Sequence, residues 1–179
     1  MRWDDLFGDL EAQWVAEERR ELDAEVADRT RRERALVGLQ HRFAAAAGCD
    51  LTVGLGTGRS LTGQVADVGD GWVLLRTASS TALVPFGGLT SVVGLGPRAD
   101  AGGVGRRFGL GFALRGLSRD RAVVRLTDVS GALLTGTIDA VGQDFLELAE
   151  HPAELPRRTE NVTGRRVVPF TALAVVQPG

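Results

Sequence analysis

The chain repeats itself. Residues 58–75, GRSLTGQVADVGDGWVLL, align without a gap on residues 131–148, GALLTGTIDAVGQDFLEL, at an offset of 73, and seven of the eighteen positions are identical. The identities include Gly58/Gly131, Leu61/Leu134, Gly63/Gly136, Gly69/Gly142 and Leu75/Leu148, while Val65/Ile138 and Trp72/Phe145 keep size and polarity. A duplication of this length means one small module folded twice, so the fold of one copy constrains the other. Val84-Pro85-Phe86 then matches Val168-Pro169-Phe170 at an offset of 84, so the second copy carries eleven extra residues (84 minus 73). They fall in 150–164, EHPAELPRRTENVTG, whose Pro and charge content predicts a long hairpin loop.

Within each copy the apolar residues alternate, as in Leu51, Val53, Leu55 and in Val124, Leu126, which is the period of a half-buried strand. Gly turns separate further strands near 60–67 and 71–77, and Val-Pro-Phe closes a fourth before a fifth at Leu89 to Val93. Pro85 and Pro169 need an edge, a bulge or a strand end, because Pro offers no ladder N–H. Five short strands in so few residues predict a small barrel that removes its own open edges. Helical stripes precede the copies at 29–47 (Leu36, Leu39, Phe43) and at 104–118 (Phe108, Phe112, Leu117, with Leu114 nearby).

The expected fold is mainly β with α: an N-terminal helical arm, then two tandem five-stranded small barrels, each preceded by a helix. The expected boundaries are 1–28 for an acidic helix, 29–95 for the first helix and barrel, 96–103 for a Gly-rich linker, and 104–179 for the second helix and barrel with its loop at 150–164.

This order, with the shared Gly58, Leu61, Gly63 and Gly131, Leu134, Gly136 spacing and a strand, Gly turn, strand unit, resembles the Sm-like branch of the SH3-like small barrels. The resemblance implies the fold and not uridine-rich RNA binding. The family's turn Asp falls on Gly69 and Gly142, and its base-contacting Asn falls on Val73 and Leu146. Its Arg-Gly motif is replaced by Phe86-Gly87-Gly88 and Phe170-Thr171-Ala172. The whole chain also resembles an uncharacterised family of high-GC Gram-positive bacteria, sharing the opening Trp-Asp-Asp-Leu-Phe, and this imports no activity.

Charge is divided along the chain. Residues 1–28 hold ten acids and three Arg (net −7), and the remainder holds thirteen acids and eighteen Arg (net +5). The arm reads as a helix with Trp3, Leu6, Phe7, Leu10 and Trp14 at three-to-four spacing, a candidate docking face for a protein partner or for self-association. Arg106 and Arg107 after Gly102-Gly103, with Arg115, Arg119 and Arg121, and with Arg157, Arg158, Arg165 and Arg166 in and after the loop, are candidate contacts for an anion or nucleic acid. Gly54-Leu-Gly56-Thr-Gly58 reads as a hairpin turn, because a phosphate loop would be followed by a helix.

No nucleophile and base pair is legible, so no catalytic residue is assigned and the chain is expected to be no enzyme. Asp67, Asp70, Asp139 and Asp144 beside Gly fit turn chemistry. His41 and His151 lack ligand spacing to each other or to Cys49, the single cysteine, so no metal or cofactor is expected. With no long apolar run and a charged start (Arg2, Asp4, Asp5), a cytoplasmic protein without a membrane role is expected. The function expected is a non-enzymatic scaffold that meets a protein partner through the arm or the second-copy loop. The alternative is a nucleic-acid-binding regulator using the Arg-rich linker helix and loop.

Overall fold

The computed structural model describes the backbone of residues 3–100 and 108–179 and the side chains of residues 14–100 and 108–179. Met1–Gly38 forms one compact unit and Leu39–Gly179 another. The first unit is a single helix, α1 (Trp3–Ala35), which runs on past the expected boundary at 28. It has no Pro, and its charged side chains pair along the surface: Arg20 with Glu17 at 2.7 Å and Arg29 with Glu33 at 3.2 Å. The helical stretch expected over 29–47 is therefore divided. Residues 29–35 complete α1, and a separate short helix, α2 (Leu39–Ala45), opens the second unit. Of the expected stripe only Phe43 is fully buried, while Leu36 is 83% exposed in the break.

The second unit contains the strands β1 (Asp50–Leu55), β2 (Ser60–Gly69), β3 (Trp72–Arg76), β4 (Thr81–Pro85) and β5 (Leu89–Val93), then the helix α3 (Leu110–Arg119). The strands β6 (Val123–Asp128), β7 (Leu133–Val141), β8 (Phe145–Glu150), β9 (Gly164–Pro169) and β10 (Leu173–Pro178) follow. The two sets of five correspond in order, strand for strand. Two closed barrels are not what they make: all ten strands form one open antiparallel sheet in the order β5-β1-β2-β3-β4-β10-β6-β7-β8-β9. The reason is at the join, where the free edge of β4 meets β10 of the other copy, with Leu83 registered on Val176. Each copy satisfies an edge of its neighbour instead of its own.

Packing follows the join. The first core is built on Phe43, Val53, Leu75 and Val84 but includes Val175 of the second copy. The second, built on Leu114, Leu126, Ile138 and Leu148, includes Trp72 and Leu83 of the first. Gly88 makes the approach feasible, because a Cβ there would lie 2.7 Å from Ala174 Cα and 2.8 Å from its carbonyl oxygen. The repeated Gly69 and Gly142 have a parallel reason: a Cβ would sit 2.1 Å from the Trp72 indole and 2.4 Å from the Phe145 ring. Each Gly is the floor under the aromatic residue that opens the next strand.

Pro85 and Pro169 end β4 and β9, as a missing N–H requires. The expected linker at 96–103 is partly anchored. Arg42 donates to the carbonyls of Leu95 (2.9 Å) and Gly96 (3.0 Å), and the Asp100 amide donates to His41 O (2.9 Å). The helix expected from 104 begins at Leu110, with Leu114 buried, Leu117 half-buried, and Phe108 and Phe112 exposed and stacked at 4.2 Å. Gly102, Gly103, Gly105, Arg106 and Arg107 lie outside the described residues.

Candidate anion-binding cleft

A β-bulge builds the site. In both copies the second strand slips register against the third at equivalent places, between Val65 and Asp67 and between Ile138 and Ala140. A bulged residue escapes the ladder and its side chain is re-aimed. In the first copy that residue is Ala66; in the second it is Asp139. The extended loop of the second copy returns Arg157 to this carboxylate. Arg157 Nε donates to Asp139 Oδ1 at 2.6 Å and a second guanidinium N–H reaches Oδ2, a two-pronged pair with both side chains less than a third exposed.

Around this pair opens a cleft of about 590 Å³, bounded by the end of α3 (Ser118, Arg119), by Arg121, by β7 and β8 (Asp139, Glu147) and by Arg165 of β9. Ser118 Oγ donates to Ile138 O at 3.0 Å and so pins the end of α3 to the sheet. Arg121 follows in a left-handed conformation at φ +48°. The guanidinium groups of Arg119, Arg121 and Arg165 make no hydrogen bond and no close ion pair among the described residues, while the Arg121 backbone N–H donates to Ser118 O at 3.1 Å. The Asp139 carboxyl is held below its ordinary value of 3.8, first by the hydrogen bond from Arg157, then by the charges of Arg157, Arg165 and Arg121. Those guanidiniums are therefore close enough to act on one another's surroundings.

The candidate arginines divide. Arg119, Arg121, Arg157 and Arg165 are brought to one cleft. Arg166 is taken up by Glu150 at 2.7 Å, Arg158 faces Glu160 at 3.7 Å, and Arg115 is exposed on α3. Arg106 and Arg107 are outside the described residues. In the arm, the side chains of Trp3, Leu6, Phe7 and Leu10 are likewise outside them, whereas Trp14 is 80% exposed.

Other residues take the roles expected or reveal new ones. Gly58, at φ +78°, makes the turn between β1 and β2. Trp72 is buried and its indole N–H donates to Phe108 O at 2.9 Å, and Phe86 stacks on Phe43 at 5.3 Å. Asp139 holds Arg157 and so is more than turn chemistry. His151 is 2% exposed between Thr137 Oγ1 (2.8 Å) and Pro152 O (2.9 Å), which makes it an anchor of the loop. A carbonyl only accepts, so Nδ1 donates to Pro152 O, and Nε2 is paired with the Thr137 hydroxyl. Neither role could be read from spacing. The signal available was that the insertion starts at an isolated His and contains Arg opposite an acid that replaces Ala66.

A second, apolar cleft of about 180 Å³ lies at the join, lined by Trp72, Leu74, Leu83, Leu117 and Val176 among others. Leu74 and Thr81 are the repeat equivalents of Glu147 and Arg165. The same face of the module is thus apolar in one copy and charged in the other.

The chain matches no family model, no curated protein and no solved structure, so the geometry carries the functional argument. Among the described residues no group of three or more His, Cys, Asp or Glu is placed to hold a metal ion, and no helix is long and apolar enough to cross a membrane.

Proposed function

We propose that this protein is a non-enzymatic interaction protein, two modules of small-barrel descent joined in one compact unit, that binds a protein partner through its helical arm. The observation that carries this reading is α1. It is 33 residues long, a unit of its own, and leaves Trp14, Val15, Leu22 and Val26 between 55% and 80% exposed. Val15, Leu22 and Val26 fall on one face at spacings of seven and four, the pattern by which a groove or a second helix reads a helix. A helix of this length spans about 50 Å and gains most of its stability from packing, so a partner both orders it and covers that face.

The test is affinity capture of the full chain from its native cells against a Val15→Glu/Leu22→Glu variant, followed by reconstitution with the purified captured protein. A discrete protein retained by the wild type after nuclease, lost by the variant and rebinding in purified form supports the reading. Equal capture by both chains refutes it.

A further inference from the structure

We propose that the cleft of the second copy is a binding site for a small phosphorylated polyol, whose phosphate is taken by Arg119, Arg121 and Arg165 and whose hydroxyl groups are accepted by Glu147. Four guanidinium groups line one concavity, and one of them, Arg157, is already matched by Asp139. The four arginines of the cleft outnumber its two acids, Asp139 and Glu147, and the one close ion pair there is Arg157 with Asp139, so the net positive charge that remains favours an added anion. The planar fork of Arg fits phosphate oxygens two at a time. Glu147 also lines the cleft and has no partner among the described residues, so it offers acceptors for hydroxyl groups beside the cations. The volume falls within the ordinary range of small-ligand clefts.

A nucleic-acid strand fits less well. Among the described residues no aromatic lines the cleft to stack a base, and Asp139 and Glu147 would repel a second phosphate. Arg158 and Arg166, which would extend a basic track, are instead paired with Glu160 and Glu150. The first copy, with Ala66, Leu74 and Thr81 at the matching positions, lacks the site. Only the copy with the eleven-residue insertion has it.

The site goes beyond the arm reading and does not depend on it: partner capture reports on α1, ligand binding on the cleft. The test is isothermal titration calorimetry of the full chain with glycerol phosphate, inorganic phosphate, glycerol and a short single-stranded RNA, at low and high salt. It is repeated on Arg119→Ala/Arg165→Ala and Glu147→Gln, with thermal melts to confirm that both fold. The expected result is stoichiometric binding of glycerol phosphate, none of glycerol, and a loss of at least about tenfold in the arginine variant. Glu147→Gln weakens glycerol phosphate while leaving inorganic phosphate in place. Absence of glycerol phosphate binding, binding that ignores the arginine variant, or binding of RNA alone that salt abolishes would each overturn the proposal.

Discussion

At the scale of single residues, two small residues hold the join and the second-copy loop in place, Gly88 and Thr137. Gly88 lies where any Cβ would run into the backbone of Ala174, which cannot move without moving β10. Gly88→Ala is expected to cost about 1 to 3 kcal/mol, read as a lower melting temperature with the cleft intact. Thr137→Val leaves the buried His151 Nε2 without its hydrogen-bond partner and should cost about 1 to 3 kcal/mol, with faster proteolysis inside 151–163 as the specific sign. Asp139 and Asp128 both have lowered carboxyl pKa values. For Asp128 the first cause is the Ser130 hydroxyl, followed by the Ala132 amide. A depressed folded-state pKa stabilises above the unfolded value, 3.8 here, and that stabilisation is lost as pH falls through the folded value. Asp139→Asn should therefore lower the melting temperature at neutral pH, and its difference from wild type should shrink as pH drops below about 4. A constant difference would mean that the Arg157 pair is not its origin.

At the scale of elements, much was legible because the repeat reports on itself. Strand existence, the turns at Gly58 and Gly131 and the loop before β9 all followed from matched positions whose chemistry agrees in two contexts. Helix ends were less legible. Leu36 has the right spacing to continue a stripe, yet the chain breaks at Gly38 and only Phe43 reaches the core. The pairing of β4 with β10 was not legible at all, since a strand edge carries the same N–H and C=O groups whichever strand it meets. Nor was the cleft, whose members come from α3, a bulge, an insertion and an edge strand. The bulge at Asp139 had no sequence sign beyond an acid in place of Ala66. Shortening 152–162 to the first-copy length removes Arg157 and should open the cleft while preserving the sheet, measured as retained strand signal with lost ligand heat.

At the scale of the whole molecule, the interlocked cores predict that the two copies melt together. Trp72 and Leu83 serve the second core and Val175 the first, so calorimetry of the full chain should show one cooperative transition for Leu39–Gly179 rather than two. The sheet also ends deliberately. At the join β4 and β10 present Ala82, Leu83, Ala174 and Val175, all buried. The matching residues of the outer strands are Arg166, Val167, Thr90 and Ser91, and Ala172 stands in place of Gly88. Charge, hydroxyls and an unwanted methyl group blunt both outer edges against further pairing. Replacing Thr90, Ser91, Arg166 and Ala172 by the join's own Ala, Val, Ala and Gly should make chains add end to end, seen by sedimentation velocity.

The strand that joins the copies is also the last of the ten in sequence, and it lies at the centre of the sheet. A ribosome delivers β4 long before its neighbour. Until residues 173–178 emerge, the nascent chain holds two incomplete halves, each with an apolar strand open to chaperones and proteases. A fragment that stops short of residue 173 lacks the strand on which Leu83 is registered, so the edge of β4 stays open in it.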